Sequence, residues 1–160
     1  MLGVDPGIAA TGLALLGGGR GPARVAWAAT IRTSADQQEA LRLMEVAAAV
    51  RRALEEHRPD ALAIERLLWG RNTGSAMGVA RASGAVLLVA AEAGIPVHEY
   101  APLEVKMAIT GDGNAGKQQV RRSLERLHRV AGVPRQADAA DAAAVGLCHL
   151  HQAKLAEAVS

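Results

Sequence analysis

Two short apolar runs that each end in an acidic residue constrain the fold of this chain more than any other feature. Residues 1–4 are followed by Asp5, and residues 61–64 are followed by Glu65. Continuous apolar runs of this length are typical of strands that are buried in a sheet. Acids at the ends of buried strands are costly, and they repel each other when they are gathered. A divalent cation between them removes this cost, because hard cations such as Mg²⁺ bind carboxylate oxygens.

Two further acids, Asp138 and Asp141, lie three residues apart in the alanine-rich stretch QADAADAAAVGL. On a helix, positions i and i+3 share a face, so both carboxylates can point into one cleft. Acids also favour the first turn of a helix without any metal, which would explain Asp138 alone. That alternative does not explain Asp5 and Glu65. The sequence therefore predicts a site for two Mg²⁺ ions, with Mn²⁺ as the alternative metal, in which Asp5 bridges the pair.

The order of predicted elements is three strands, a helix, a strand, a helix, a strand and then helices. Apolar runs bounded by turn residues predict strands at residues 2–5, 11–16, 23–31, 61–65 and 97–100. Helical periodicity predicts helices at residues 36–57, 74–93, 102–109, 117–130 and 137–156. This order predicts an α/β fold in a single domain of residues 1–160. Its five-stranded mixed sheet has three antiparallel strands and then parallel ones, and helices flank it.

Charge is distributed unevenly along the chain. The formal net charge is only +2, but residues 103–135 hold seven Lys or Arg against three acids, a local charge of +4. A basic face beside an acidic metal site suits a polyanionic substrate, although a solvated helix face explains the same charges. The single Cys148 excludes an internal disulfide. No apolar run is long enough for a membrane span, so a soluble cytoplasmic protein is predicted.

Three segments, LGVDPGIAATGLALL, AIERLLWGRN and QADAADAAA, together resemble the RuvC family of Holliday-junction resolvases. The resemblance implies a ribonuclease H-like fold with metal ligands at Asp5, Glu65, Asp138 and Asp141. It also implies a homodimer, built around the helix at 74–93, that makes paired symmetric nicks in four-way junction DNA during recombination and repair. The nicks are expected to leave 5′-phosphate and 3′-hydroxyl ends. The RuvA and RuvB branch-migration proteins are the expected partners.

The same resemblance implies several residues that contact DNA. Lys106 and Lys117 match basic residues near the scissile phosphate, and Lys117 is the better candidate for stabilising the transition state. The family commonly has an aromatic residue that stacks on a base after the catalytic glutamate. This chain has Leu68 at that position and Trp69 next to it, and Trp69 either stacks on a base or is simply packed, so the stacking residue is left open between the two. Three arginines fit phosphate contacts and ordinary solvated residues equally well: Arg71, Arg121 and Arg122.

Two other functions remain open on the sequence. The first is a different enzyme of the same fold, a ribonuclease H-type or other structure-selective nuclease, with the same acids and a different substrate such as an RNA–DNA hybrid. The second is a non-catalytic junction-binding protein or a nucleotide-binding module. The stretch from Gly111 to Gln118 nearly satisfies the phosphate-loop pattern GxxxxGK[ST], but Gln118 lacks the hydroxyl that the pattern needs.

Overall fold

A computed structural model of the chain describes residues 1–17, 21–67 and 73–159. These residues form a five-stranded sheet with the strand order β3-β2-β1-β4-β5. The strands are β1 (Leu2–Asp5), β2 (Ala10–Gly17), β3 (Arg24–Arg32), β4 (Leu62–Glu65) and β5 (Val97–Tyr100). The helices are α1 (Glu39–His57), α2 (Thr73–Glu92), α3 (Pro102–Thr110), α4 (Lys117–Arg122) and α5 (Ala137–Val159).

The strand directions bring four strand ends to one edge of the sheet. β2 is antiparallel to both β1 and β3, whereas β4 is parallel to both β1 and β5. The C-terminal ends of β1, β3, β4 and β5 therefore share an edge. This arrangement confirms the predicted mixed sheet of three antiparallel strands followed by parallel ones. It also places Asp5, at the end of β1, beside Glu65, at the end of the neighbouring β4.

Side chains alternate strictly between the two faces of the central strands, and both faces are buried. Leu2 and Val4 of β1 pack with Leu62 and Ile64 of β4 against α1 and α2. Ala63 packs on the opposite face, in the core formed with α3, α4 and α5. Because strand side chains have a period of two, the acids that follow Val4 and Ile64 point to the α5 face. The apolar pattern of the two runs thus determines which face carries the carboxylates.

Helix α5 lies directly on β1 and β2, where small residues allow the backbones to touch. A Cβ on Gly12 of β2 would overlap the backbone carbonyl of Asp138, and one on Gly3 of β1 would overlap the carbonyl of Ala142. The alanines of α5 that face the sheet are fully or nearly fully buried. This close approach fixes the height of the first two turns of α5, which carry Asp138 and Asp141, above the ends of the strands.

The predicted helix at 117–130 is wrong over its last residues. The α-helical turns end at Arg122, a π-helical segment follows at Ser123–Leu127, and Arg129 has a positive φ of 52°. The chain turns there because Ala131 pairs with the start of β3, where the Val25 amide donates to the Ala131 carbonyl at 2.9 Å. A long-range strand contact therefore overrides the helical pattern. Of the helices described, none has the length and apolar character that crossing a membrane requires.

Candidate active site

Three of the predicted acids line one cleft at the C-terminal edge of the sheet. Asp5, Glu65 and Asp141 contribute to the wall of a cavity of about 370 Å³, together with Lys106 and Lys117. The rest of the wall comes from α3, the loop before α4 and the buried face of α5. Segments that are distant in the sequence therefore meet in the way that the acidic strand ends predicted.

Burial and mutual repulsion raise the pKa values of the two strand-end carboxyls. The pKa of Asp5 is raised to about 7, mainly by burial and then by the charges of Glu65 and Asp141. The pKa of Glu65 is also raised, again mainly by burial and then by Asp141. Lys117 opposes both shifts. A raised pKa in neighbouring carboxyls shows that the site lacks positive charge, which is the condition that a bound cation corrects.

Lys117 supplies part of the missing positive charge. Its Nζ donates a hydrogen bond to Asp141 Oδ2 at 2.6 Å. This hydrogen bond is the main cause of a raised Lys117 pKa, so the amine stays charged. Lys117 is the first residue of α4 and follows the glycine-containing loop after α3, which carries its ammonium group to the acids. The phosphate-loop alternative does not fit here, because helix α3 and not a strand precedes this loop.

Asp138 faces a different cation. Its Oδ2 lies 3.5 Å from an Nη of Arg32, the last residue of β3. Its charge still reaches Asp5, although it is the weakest of the contributions that shift the Asp5 pKa. The two acids of the first turns of α5 therefore have separate partners, Lys117 for Asp141 and Arg32 for Asp138. Arg32 was not among the predicted site residues. The sequence did offer one signal for it, because Arg32 is a basic residue at the end of a strand that runs parallel to β1.

A hydrogen-bond network holds the turn that follows Asp5. The buried Thr11 hydroxyl donates to the Gly7 carbonyl at 2.6 Å. The Thr33 hydroxyl donates to the Ile8 carbonyl at 2.6 Å and accepts from Arg42 Nε at 2.8 Å. These contacts fix the chain on the β2 and β3 side of Asp5. The two threonines and Arg42 are thus supporting residues of the site that the sequence patterns did not reveal.

The carboxylates fit a hard divalent cation in their donor chemistry. Asp5, Glu65 and Asp141 offer only oxygen ligands, as Mg²⁺ and Mn²⁺ prefer. Within the described ranges, no three acidic, histidine or cysteine side chains are gathered closely enough to bind one ion together. One of the acids, Asp141, is instead paired with Lys117. Release of this contact frees both oxygens of Asp141 for a metal.

The remaining predicted DNA contacts fall into two groups. Lys106 lines the cleft, and its charge lowers the pKa of Glu65. Arg121 bonds to Glu125 at 3.2 Å and to the carbonyl of Arg135 at 3.1 Å, while Arg122 is exposed nearby on α4. The other predicted contacts, Leu68, Trp69 and Arg71, lie outside the described residues.

The raised pKa of Asp5 predicts an unusual pH dependence of stability in the absence of metal. The folded protein keeps a proton on Asp5 up to about pH 7, whereas the unfolded chain loses it near pH 4. Because the folded state binds more protons in this window, the free energy of unfolding should fall as the pH rises from 4 to 7. Asp5→Asn should therefore be more stable than the wild type at pH 8 in EDTA, and the difference should shrink towards pH 4.

Denaturant unfolding at a series of pH values measures this difference. Asp36→Asn is the matched control, because Asp36 is an exposed acid in a turn before α1. A difference between Asp5→Asn and the wild type that is constant from pH 4 to pH 8 would contradict the assignment of the raised pKa.

Comparison with known proteins gives one consistent family. The model of the family "Crossover junction endodeoxyribonuclease RuvC" matches residues 1–149. The RuvC of Syntrophomonas wolfei is 41% identical over 155 residues, which cover 97% of this chain and 90% of that protein. The RuvC of Saccharopolyspora erythraea is 44% identical over 157 residues, which cover 98% of this chain and 79% of that protein.

A solved structure agrees with the sequence comparisons. The structure of Thermus thermophilus RuvC in complex with a Holliday junction substrate matches with a TM-score of 0.88 and 35% sequence identity. The match covers 97% of this chain and 94% of that one. It confirms the ribonuclease H-like fold that the three sequence segments implied. The chain therefore belongs to the RuvC family of crossover junction endodeoxyribonucleases.

Proposed function

We propose that this protein is a metal-dependent endodeoxyribonuclease that resolves Holliday junctions by paired symmetric nicks. The convergence of Asp5, Glu65 and Asp141 in one cleft, with Lys106 and Lys117 at its wall, is the observation that carries the proposal. The relatives named as crossover junction endodeoxyribonucleases support it, as does the likeness to a RuvC bound to a junction. Metal-dependent hydrolysis of a phosphodiester needs acids that bind cations and basic groups that bind phosphate, and this cleft has both.

The chain's own residues have distinct roles in this reaction. Asp5, Glu65 and Asp141, with Asp138 as a further predicted ligand, would hold two Mg²⁺ or Mn²⁺ ions. When bound, the ions supply Lewis-acid stabilisation of the attacking and leaving oxygens. Lys117 remains protonated and, once it leaves Asp141, can donate hydrogen bonds to a non-bridging oxygen of the scissile phosphate. Water adds to phosphorus as the bond to the 3′ oxygen breaks. The products are a 5′-phosphate and, after protonation, a 3′-hydroxyl.

The proposal includes a homodimer, because two symmetric cuts require two active sites. A Cβ on Gly78 would meet Ile8, in the turn between β1 and β2, and Ala82 is fully buried, so these small residues of α2 face the rest of the domain. The opposite face of α2 leaves Met77 and Leu88 exposed by 45% and 60%. Apolar side chains eleven residues apart lie on one side of a helix, and together they suit contact with a second copy of the chain. The RuvA and RuvB partners and the cytoplasmic location remain predictions.

A comparison of substrates tests the proposed function. Labelled four-way junctions, plain duplexes and RNA–DNA hybrids would be incubated with the protein and a titration of Mg²⁺ or Mn²⁺. We expect metal-dependent nicks in the junction at symmetric positions, and ligation of the nicked products would identify the 5′-phosphate and 3′-hydroxyl ends. Little cleavage of the other two substrates is expected.

The same assay separates the two alternatives from the proposal. Preferential cleavage of the hybrid would indicate a nuclease of the ribonuclease H type. Tight junction binding without cleavage at any metal concentration would indicate a non-catalytic junction-binding protein. Either result would overturn the proposed resolvase activity.

A further inference from the structure

Arg32 lies at the same edge and on the same face of the sheet as the carboxylates. It ends β3, which runs parallel to β1, and it pairs with Ala10 in the β2–β3 ladder. Trp27 and Ile31 of β3 pack towards α1, whereas Ala28 packs towards α5. Because strand side chains alternate, the even-numbered Arg32 points to the α5 face, as do Asp5 and Glu65.

The contact of Arg32 with Asp138 leaves most of its guanidinium free. One Nη lies 3.5 Å from Asp138 Oδ2, and the Arg32 side chain is 69% exposed, against 24% for that of Asp138. A guanidinium has five N–H donors and can bind a phosphate with two of them while another faces a carboxylate. Such an exposed ion pair contributes little to stability by itself. Its effect is to keep the positive group beside the acids.

Positive charge therefore stands at both ends of the row of acids. Lys106 of α3 acts on Glu65 at the β4 end of the row. Next in the row is Asp5, at the end of β1, and then Asp138, which lies above β2. Arg32, at the end of β3, is at the other end of the row. A DNA strand that runs along this row, with a phosphate over the acids, continues past both ends of the row. The β3 side then needs a cation for the next phosphate, as the other side has in Lys106.

We propose that Arg32 binds the DNA backbone on the β3 side of the scissile phosphate, with Oδ2 of Asp138 beside its guanidinium and the other oxygen of that carboxylate left for a metal. The proposal rests on the proposed function, since it assumes that DNA crosses the acidic cleft. It assigns Arg32 a backbone contact that positions the strand without reading sequence. Arg32 thereby extends the basic surface of α3 and α4 to the opposite side of the site.

The salt dependence of junction binding tests this contact without cleavage. Binding of a labelled four-way junction would be measured by fluorescence anisotropy in EDTA, over about 50 to 200 mM salt. Arg32→Gln should reduce the slope of log K against log salt by about 0.9, the value for one lost phosphate contact. Arg32→Lys should keep the wild-type slope, because the charge remains. Arg24→Gln is the matched control, since Arg24 begins the same strand, is exposed and lies at the opposite edge.

A double variant distinguishes the phosphate contact from simple neutralisation of Asp138. If Arg32 contacts DNA, Arg32→Gln combined with Asp138→Asn should keep the reduced slope. A return of this double variant to the wild-type slope, or an unchanged slope in Arg32→Gln alone, would overturn the proposal. Failure of the wild type to prefer the junction over a duplex would instead count against the proposed function. The exposed position of Arg32 predicts melting temperatures close to the wild type for all three single variants.

Discussion

Glu65→Gln should reduce the rate of junction cleavage by about 1,000-fold or more while the protein still binds the junction. Glu65 lies at the end of β4 in the cleft that it shares with Asp5 and Asp141. The amide keeps the shape of the side chain but removes an anionic ligand. Stabilisation of transition-state charge by metal is worth several kcal/mol, and about 4 kcal/mol corresponds to about 1,000-fold in rate. Single-turnover cleavage of a labelled junction, with binding measured separately in Ca²⁺, gives both quantities.

Glu99→Gln provides the matched control for this variant. Glu99 is an exposed acid on β5 whose ladder partner is Ile64, the residue before Glu65. The same chemical change, one strand away and outside the cleft, should leave cleavage within a few-fold of the wild type. Normal cleavage by Glu65→Gln would show that Glu65 does not hold a catalytic ion. Equal losses of cleavage rate in the two variants would show that cleavage depends on the total negative charge of this region and not on Glu65 as a metal ligand.

The sequence patterns predicted the sheet well because each central strand is buried on both faces. A strand such as β4, with Leu62 and Ile64 on one face and Ala63 on the other, must be apolar throughout. The end of such a strand can also be predicted from the sequence, because the first acid marks the point where the strand leaves the core. For this reason Asp5 and Glu65 were identifiable without any structure, and their meeting followed from the predicted strand order.

Local sequence patterns did not predict the features that depend on contacts between distant residues. The helix predicted to reach residue 130 ends early because Ala131 pairs with β3, about a hundred residues earlier in the chain. The pairing of Lys117 with Asp141 and of Arg32 with Asp138 depends on how the first turns of α5 are oriented above the strands. Helical spacing places both acids on one side of α5, but it does not say which cation each one meets.

Gly12→Ala should be the most damaging small substitution, because it affects both the fold and the site. Its methyl group would overlap the carbonyl of Asp138, and both overlapping groups belong to the backbone of a regular element. Overpacking of this kind costs about 1–3 kcal/mol, which lowers the melting temperature by about 2–4 °C for each kcal/mol in a chain of this size. A shift of the first two turns of α5 away from β2 would relieve the overlap most directly. Such a shift moves Asp141 away from Asp5, and a displacement of about 1 Å can cost about 100-fold in rate.

Gly17→Ala tests whether this loss comes from the close approach of α5 to the sheet. Gly17 ends the same strand, and a Cβ there meets open space. The control variant should melt within about 2 °C of the wild type and cleave junctions normally, because no atom has to move. Thermal melts, together with single-turnover cleavage well below the melting temperature, separate loss of folding from loss of geometry. If the Gly12→Ala variant cleaves junctions at the wild-type rate, the distance of α5 from β2 does not set the positions of the catalytic acids.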